Sequence, residues 1–198
     1  MSLLGKSSPP LPKSFYLRNT LVVARDLLGK GLYLKRGKDT FLLEIVETEA
    51  YLGSNDPGCH ANRGMTKRNS VMFESGGACY VYLIYGMYYC MNVVTEKAGV
   101  GSAVLLRAGV PILGIDKMVG QSQPKKISSG PGRLTRALGI DSRYNGLTFD
   151  RPDFKIIDLG KKYSKKDIEI TTRIGLSEGR GCDLPYRFHV RNNLWVSR

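Results

Sequence analysis

Near the start of the chain apolar residues recur at helical spacing. Leu21, Ala24, Leu27 and Leu28 predict a helix over residues 20–28, capped by Asn19 or Thr20 and ended by Gly29 or Gly31. The period then falls to two, and residues 32–35 and 40–48 read as strands joined by the turn Arg36-Gly37-Lys38-Asp39. The second of these opens the stretch 41–51, Phe-Leu-Leu-Glu-Ile-Val-Glu-Thr-Glu-Ala-Tyr, where Glu44, Glu47 and Glu49 interrupt an apolar run. Alternation places Glu47, Glu49 and Tyr51 on one face and Val46, Thr48 and Ala50 on the other. The plain expectation is a half-exposed strand whose acids face water. Whether the acids do chemistry instead depends on what the rest of the chain brings to them.

From Leu52 to Gly77 the pattern dissolves into Gly, Asn, Asp, Pro, Ser and Arg, a long loop for a compact domain that carries His60, Arg63, Lys67 and Arg68. Such a loop is either a solvated connection or a place where basic groups meet phosphate. Residues 79–84 and 88–94 then predict a hairpin turning tightly at Tyr85-Gly86-Met87, and five of the eleven tyrosines fall between Tyr80 and Tyr89. Aromatics pack well in pleated strands. An aromatic at a hairpin tip has a second use, since exposed apolar side chains can enter a duplex and unstack it.

Residues 102–108 predict another strand, in which Arg107 ends the apolar run Ala103-Val104-Leu105-Leu106 and so needs an anionic partner. A short helix is expected over 111–118 and a polar loop over 121–129. Ser129-Gly130-Pro131-Gly132-Arg133 reads as the Gly-rich entry to a helix, where free N–H groups and Arg133 could hold a phosphate, or as an ordinary helix start. Beyond it, residues 154–159 and 186–191 are strand-like, and the lysines at 161, 162, 165 and 166 form a solvated face or a secondary phosphate contact.

Composition narrows the possible partners. A chain of 198 residues with 42% hydrophobic content supports one core, expected over residues 18–198 behind a mobile leader, 1–17. Thirty Lys and Arg against seventeen Asp and Glu give a net charge of +13, which makes nucleic acid the first partner to consider. The four cysteines, Cys59, Cys79, Cys90 and Cys182, form no CxxC pair and no zinc-finger spacing, so neither a structural metal nor a disulfide framework is expected. No run approaches the ~18 apolar residues of a membrane span. A soluble protein of a reducing compartment is expected.

Five ordered segments carry a resemblance: Val46-Glu47-Thr48-Glu49-Ala50-Tyr51, Tyr80 through Asn92, Val104 through Ala108, Ser129-Gly130-Pro131, and Arg187-Phe188-His189-Val190-Arg191. Together they resemble the alkyladenine (3-methyladenine) DNA glycosylase family, from about Arg18 to Ser197. The resemblance implies a mixed α/β (α+β) single domain with a curved, largely antiparallel sheet flanked by helices. It further implies a monomeric base excision repair enzyme that needs neither metal nor cofactor and acts on duplex DNA in the cytoplasm or nucleoid of a bacterium or the nucleus of a eukaryote. The lesions expected are 3-methyladenine, 7-methylguanine, hypoxanthine and ethenoadenine. By position Glu49 is similar to the family's general base, Arg107 to the arginine beside the attacking water, and the backbone at Ile174 to a carbonyl that holds it. Tyr51, His60 and Tyr82 match the aromatic box around a flipped base, Asn92 the residue that crowds a guanine 2-amino group, and Tyr85 the side chain that fills the gap in the duplex. Arg63, Arg68 and Arg133 are the expected backbone contacts, while His189 stands where the family pattern has a tyrosine.

The chemistry of the residues is compatible with those roles. A stacked base must be rotated out before an enzyme can reach its glycosidic bond. Breaking that bond develops positive charge on the sugar, which a carboxylate stabilises while taking a proton from water. Cationic alkylpurines would stack on electron-rich rings, a reason for Tyr51 and Tyr82 to be tyrosines. No lysine lies in the Glu49 stretch or the tyrosine hairpin, so a Schiff base has no obvious donor and a monofunctional hydrolase is expected. A non-catalytic nucleic-acid-binding module is the competing reading; an unrelated basic hydrolase lacks a second constellation of acids or nucleophiles.

Overall fold

A computed structural model describes residues 8–118 and 126–197. Eight strands form one antiparallel sheet: β1 (Lys30–Arg36), β2 (Asp39–Leu52), β3 (Cys79–Ile84), β4 (Tyr88–Thr95), β5 (Ser102–Leu113), β6 (Phe154–Asp158), β7 (Ile168–Thr171) and β8 (Arg187–Val190). The main path runs β3-β4-β5-β2-β1-β6, with β8 joined to β2 and β7 to β8. Three short helices, α1 (Lys13–Tyr16), α2 (Thr20–Asp26) and α3 (Pro131–Leu138), complete the expected α+β class.

The stretch of strand carrying the three acids is the centre of the sheet. One edge of β2 pairs with β5 from Leu42↔Leu113 to Leu52↔Ser102. The other edge pairs with β1 up to Gly31↔Glu44 and with β8 from Glu47↔His189 to Glu49↔Arg187. The register against β5 slips between Ile45 and Thr48, where β2 passes from one partner to the other. Bulges of this kind bend a strand and re-aim its side chains, and they concentrate next to sites.

Strand parity then sorts the residues. Val46, Ala50, Val81, Met91, Val93, Val104 and Leu106 line one face and belong to the main core, against which α2 and α3 bury Val23, Ala24, Leu134 and Leu138. Thr48 lies on that face as well, its hydroxyl donating to the Ala24 carbonyl at 2.8 Å. Across the other face runs a row of paired positions, Glu49↔Leu105, Leu105↔Asn92 and Asn92↔Tyr80. This face is covered by the connection 53–78, which includes short 3-10 turns at Gly53–Asn55 and Ser70–Phe73, and by the segment around Arg173 and Ile174.

One local expectation needs correction. The predicted helix over 111–118 is the end of β5 followed by a 3-10 turn at Ile115–Lys117. Pro111 is tolerated because Gly109 N–H bonds Ser128 O on the edge away from β2, and Pro111, two residues on, turns its missing donor to that same edge. Of the residues expected as a leader, 1–7 lie outside the described part; in the rest Pro10 bridges Ile157, and Leu11 and Tyr16 are buried. Strand β7 was not expected at all. The polar loop predicted over 121–129 falls mostly outside the described residues.

Candidate active site

Glu47 and Glu49 do not face water; both are fully buried. Glu47 is consumed by structure. It accepts from Arg107 Nε at 2.9 Å, Arg187 Nε at 2.7 Å, Ser197 Oγ at 2.8 Å and the Ser197 amide at 2.7 Å, so it ties β5, β8 and the C-terminal segment to β2. Burial pushes its carboxyl up, but Arg107, the Ser197 N–H and Arg187 more than reverse this and hold it below the usual range.

Glu49 is held differently. Its Oε1 accepts from the Ile174 N–H at 2.8 Å; its Oε2 accepts from the Tyr51 hydroxyl at 3.0 Å and lies 3.2 Å from Arg107 Nη1. Here burial dominates and raises the pKa against the pull of Arg107, the Ile174 amide and Tyr51, with Glu47 adding in the same direction as burial. Ile174 thus reaches the acid through its N–H. Two carboxylates whose environments drive them apart are the pattern expected of an acid/base site.

Around Glu49 the aromatic residues converge. Tyr51, Tyr82 and Phe73 pack on a second, smaller apolar cluster that includes Tyr80, Cys59 and Val94. His60 stands at the exposed rim, its ring 4.5 Å from that of Tyr82 and edge-on, with Nδ1 at 3.0 Å from the Tyr80 hydroxyl. The loop that carries it is pinned by Asn69, whose Nδ2 donates to the carbonyls of His60 and Gly64. Desolvation against these rings and the nearby Arg68 keep His60 below its ordinary pKa. Asn92 is buried in the floor, its Nδ2 donating to Tyr80 O at 3.0 Å. Tyr80 was anticipated only as strand packing, yet it bridges His60 and Tyr82.

Tyr85 sits at the tip of the β3–β4 hairpin, 77% exposed, with Met87 69% exposed beside it. Both Tyr85 (φ 52°) and Gly86 (φ 69°) occupy the left-handed region, and Met87 N–H closes the turn on Ile84 O. For a tyrosine that conformation costs about 1–2 kcal/mol, the kind of strain that gathers at functional positions.

The cationic candidates fall around this face. Arg68 places its guanidinium 5.9 Å from the Tyr82 ring centre and donates to Leu83 O, at the root of the hairpin. Arg63 lines a cavity of about 300 Å³ with His60 and Arg180. Arg133 is exposed in the first turn of α3, whose Gly132 lies against Tyr88; a Cβ there would come within 3.0 Å of that side chain. A further arginine, Arg173, lies 4.6 Å from the Tyr51 ring centre. Both candidate stacking tyrosines thus already face a cation, which weakens the argument that they are there to attract positively charged purines.

Among the described residues no three His, Cys, Asp or Glu side chains gather within metal-binding reach. Among the described residues, no helix is long and apolar enough to cross a membrane.

The chain aligns with known proteins along nearly its whole length. It is 48% identical to a protein of Carboxydothermus hydrogenoformans over 95% of this chain and 98% of that one. It is 46% identical to one of Methanocella arvoryzae (96% and 96%) and 45% identical to one of Legionella pneumophila (95% and 98%), all three provisionally named 3-methyladenine DNA glycosylase. A sequence model of the methylpurine-DNA glycosylase family matches residues 14–194. With that span covering the acid strand, the tyrosine hairpin and the Ile174 segment alike, the chain belongs to the methylpurine-DNA glycosylase family.

Proposed function

We propose that this protein is a monofunctional DNA glycosylase that turns alkylated or deaminated purines (3-methyladenine, 7-methylguanine, hypoxanthine, ethenoadenine) out of duplex DNA and hydrolyses their N-glycosidic bond, leaving an abasic site. The observation that carries this reading is the division of labour on β2: Glu47 is saturated with donors, while Glu49 has fewer, stands beside an aromatic pocket and is raised above its ordinary pKa by burial. A base tuned upward takes a proton from water more effectively.

Glu49 Oε1 accepts from Ile174 N–H alone among the described residues, so a lone pair remains for a water. That water attacks C1′ as the bond to the purine nitrogen breaks. The leaving base takes the bonding electrons, positive charge develops on the sugar, and the water's proton passes to Glu49. Arg107, 3.2 Å from Oε2, keeps the other oxygen occupied and orients the carboxylate. Tyr51, His60 and Tyr82 enclose the flipped base, and Asn92 in the floor restricts the edge that a guanine 2-amino group would fill.

Tyr85 occupies the space the nucleotide leaves and offsets the few kcal/mol of unstacking. Arg63, Arg68 and Arg133 track the phosphates, and the +13 net charge concentrates the protein on DNA. The protein acts as a monomer on double-stranded DNA. The test is incubation with a panel of duplexes each carrying one lesion. Release of free purine with an abasic, uncleaved strand is expected; binding without release from any member of the panel supports the non-catalytic reading instead.

A further inference from the structure

Two of the three donors to Glu49 are braced by one buried ion pair that the chemistry above does not use. Arg173 and Asp56, both with side chains fully buried, form a two-pronged bridge, Nη1 to Oδ2 at 2.5 Å and Nη2 to Oδ1 at 2.7 Å. Arg173 Nη1 also donates to Ala50 O at 3.0 Å, between Glu49 and Tyr51, and Nη2 donates to Gly181 O at 3.3 Å. Asp56 in turn accepts from the N–H groups of Leu52 and Gly58. The guanidinium lies over Tyr51 at 4.6 Å and over Tyr186 at 5.3 Å. Space for it is kept by two glycines: a Cβ at Gly58 or at Gly181 would stand 3.0 Å from Nη2.

One side chain therefore fastens the end of β2, the loop that leads to His60, and the 172–181 segment. Ile174, whose N–H reaches Glu49, is the next residue in the chain. Tyr51, whose hydroxyl reaches the other oxygen, carries Arg173 on its ring. We propose that Arg173, clamped by Asp56, is a positioning residue for the hydrolysis: it fixes the Ile174 N–H and the Tyr51 hydroxyl on the Glu49 carboxylate and so sets both the direction of that base and the pH at which it works. This rests on the reading of Glu49 as the base.

The groups facing Glu49 are Glu47 and Tyr51 of β2, Arg107 of β5, Tyr82 of β3, Cys90 of β4, and Arg173 with the Ile174 amide from the segment above. Arg107 is held independently by Glu47 and stays in place when the clamp is loosened. A hydrogen bond to the ionised form lowers a carboxyl pKa. Losing the Ile174 and Tyr51 bonds must therefore raise that of Glu49 and move the acid limb of the rate profile to higher pH.

Two variants separate this from a direct effect of charge. Arg173→Lys keeps the cation but not the planar two-pronged bridge, so a pure charge effect leaves the limb where it was. Asp56→Asn removes an anion, so a pure charge effect moves the limb down if at all. Loosening of the clamp moves it up in both.

The experiment is single-turnover release of the best-cleaved lesion from duplex DNA between pH 5 and 8, alongside binding to a duplex holding a tetrahydrofuran abasic analogue. The expected result is an acid limb displaced upward by about one pH unit in both variants, a rate at neutral pH lower by about tenfold, and analogue binding within about twofold of wild type. Folded variants with an unmoved or lowered limb overturn the proposal. So does failure of both variants to fold, which would make the pair a piece of the core. Wild-type protein that releases no base contradicts the functional reading instead, and the two failures are distinct.

Discussion

Glu47 and Glu49, two residues apart on one face of β2, share the guanidinium of Arg107 at 2.9 and 3.2 Å and are driven in opposite directions. The difference lies in what else reaches them. Glu47 gathers a second guanidinium and two groups of Ser197; Glu49 gathers one amide and one phenol. Proximity to an arginine alone therefore does not tell the two acids apart, whereas the number of charge-stabilising donors does.

This division predicts opposite stability effects. Glu47 is depressed when folded, so its contribution is present above the unfolded value near 4.5 and is lost as pH falls through the folded pKa. Glu49 is raised when folded, so its ionised form costs stability at neutral pH and that cost shrinks on acidification. Glu47→Gln leaves two buried guanidinium groups short of charge and should cost about 3 kcal/mol or more, a fall in Tm of about 10 °C. Glu49→Gln should leave Tm unchanged or raised at pH 7, with its advantage over wild type smaller at pH 5. Thermal melts of the three proteins at both pH values check this; a loss on Glu49→Gln as large as on Glu47→Gln would overturn the assignment of roles.

The strained turn predicts a trade between stability and activity. Asn adopts the left-handed conformation of Tyr85 more readily than Tyr does and precedes glycine well in tight hairpins. Tyr85→Asn should stabilise the fold by about 1 kcal/mol, raising Tm by about 2–4 °C, while base release from a paired duplex falls. Calorimetry beside a single-turnover assay measures both. Unchanged release with a higher Tm would remove Tyr85 from the mechanism.

Lesion charge should respond to Arg68. Its guanidinium faces the Tyr82 ring at 5.9 Å and competes for the same electron-rich surface that a cationic purine would use. Arg68→Ala should raise the ratio of 7-methylguanine to hypoxanthine release by about two- to fivefold, the size of a cation–π contact at a half-exposed site. Taking the ratio cancels any general loss of DNA affinity. A ratio that falls or stays fixed contradicts this account of the pocket.

Backbone contacts have their own signature. If Arg133 neutralises one phosphate, Arg133→Ala should weaken binding to damaged and undamaged duplexes alike and reduce the slope of log K against log salt by about 0.9. Titrations over a range of salt concentrations report it directly, and an unchanged slope would place Arg133 off the DNA.

Much of the site was legible because it obeys a period of two. Parity alone grouped Glu47, Glu49 and Tyr51, and the hairpin from Cys79 to Val94, with its turn at Gly86, followed from alternation and one glycine. Burial was not legible. Two glutamates on a strand look solvent-facing until Arg187 and Ser197, 140 and 150 positions away, are seen to reach Glu47. The Asp56–Arg173 pair spans 117 positions and carries no local pattern. The helix expected at 111–118 failed because a proline starting an apolar stretch suits a helix N-terminus as well as an unpaired strand edge. Strand β7 is four residues long and is defined only by its pairing with β8.

The central claim is that Glu49 alone activates the water. The measurement that tests it most directly is single-turnover release of hypoxanthine from duplex DNA by Glu49→Gln, with binding to the same duplex followed in parallel. Loss of release by about a thousandfold or more with binding retained within a few-fold is the predicted outcome, the range expected when a general base that also stabilises developing charge is removed. Release at the wild-type rate would contradict the account.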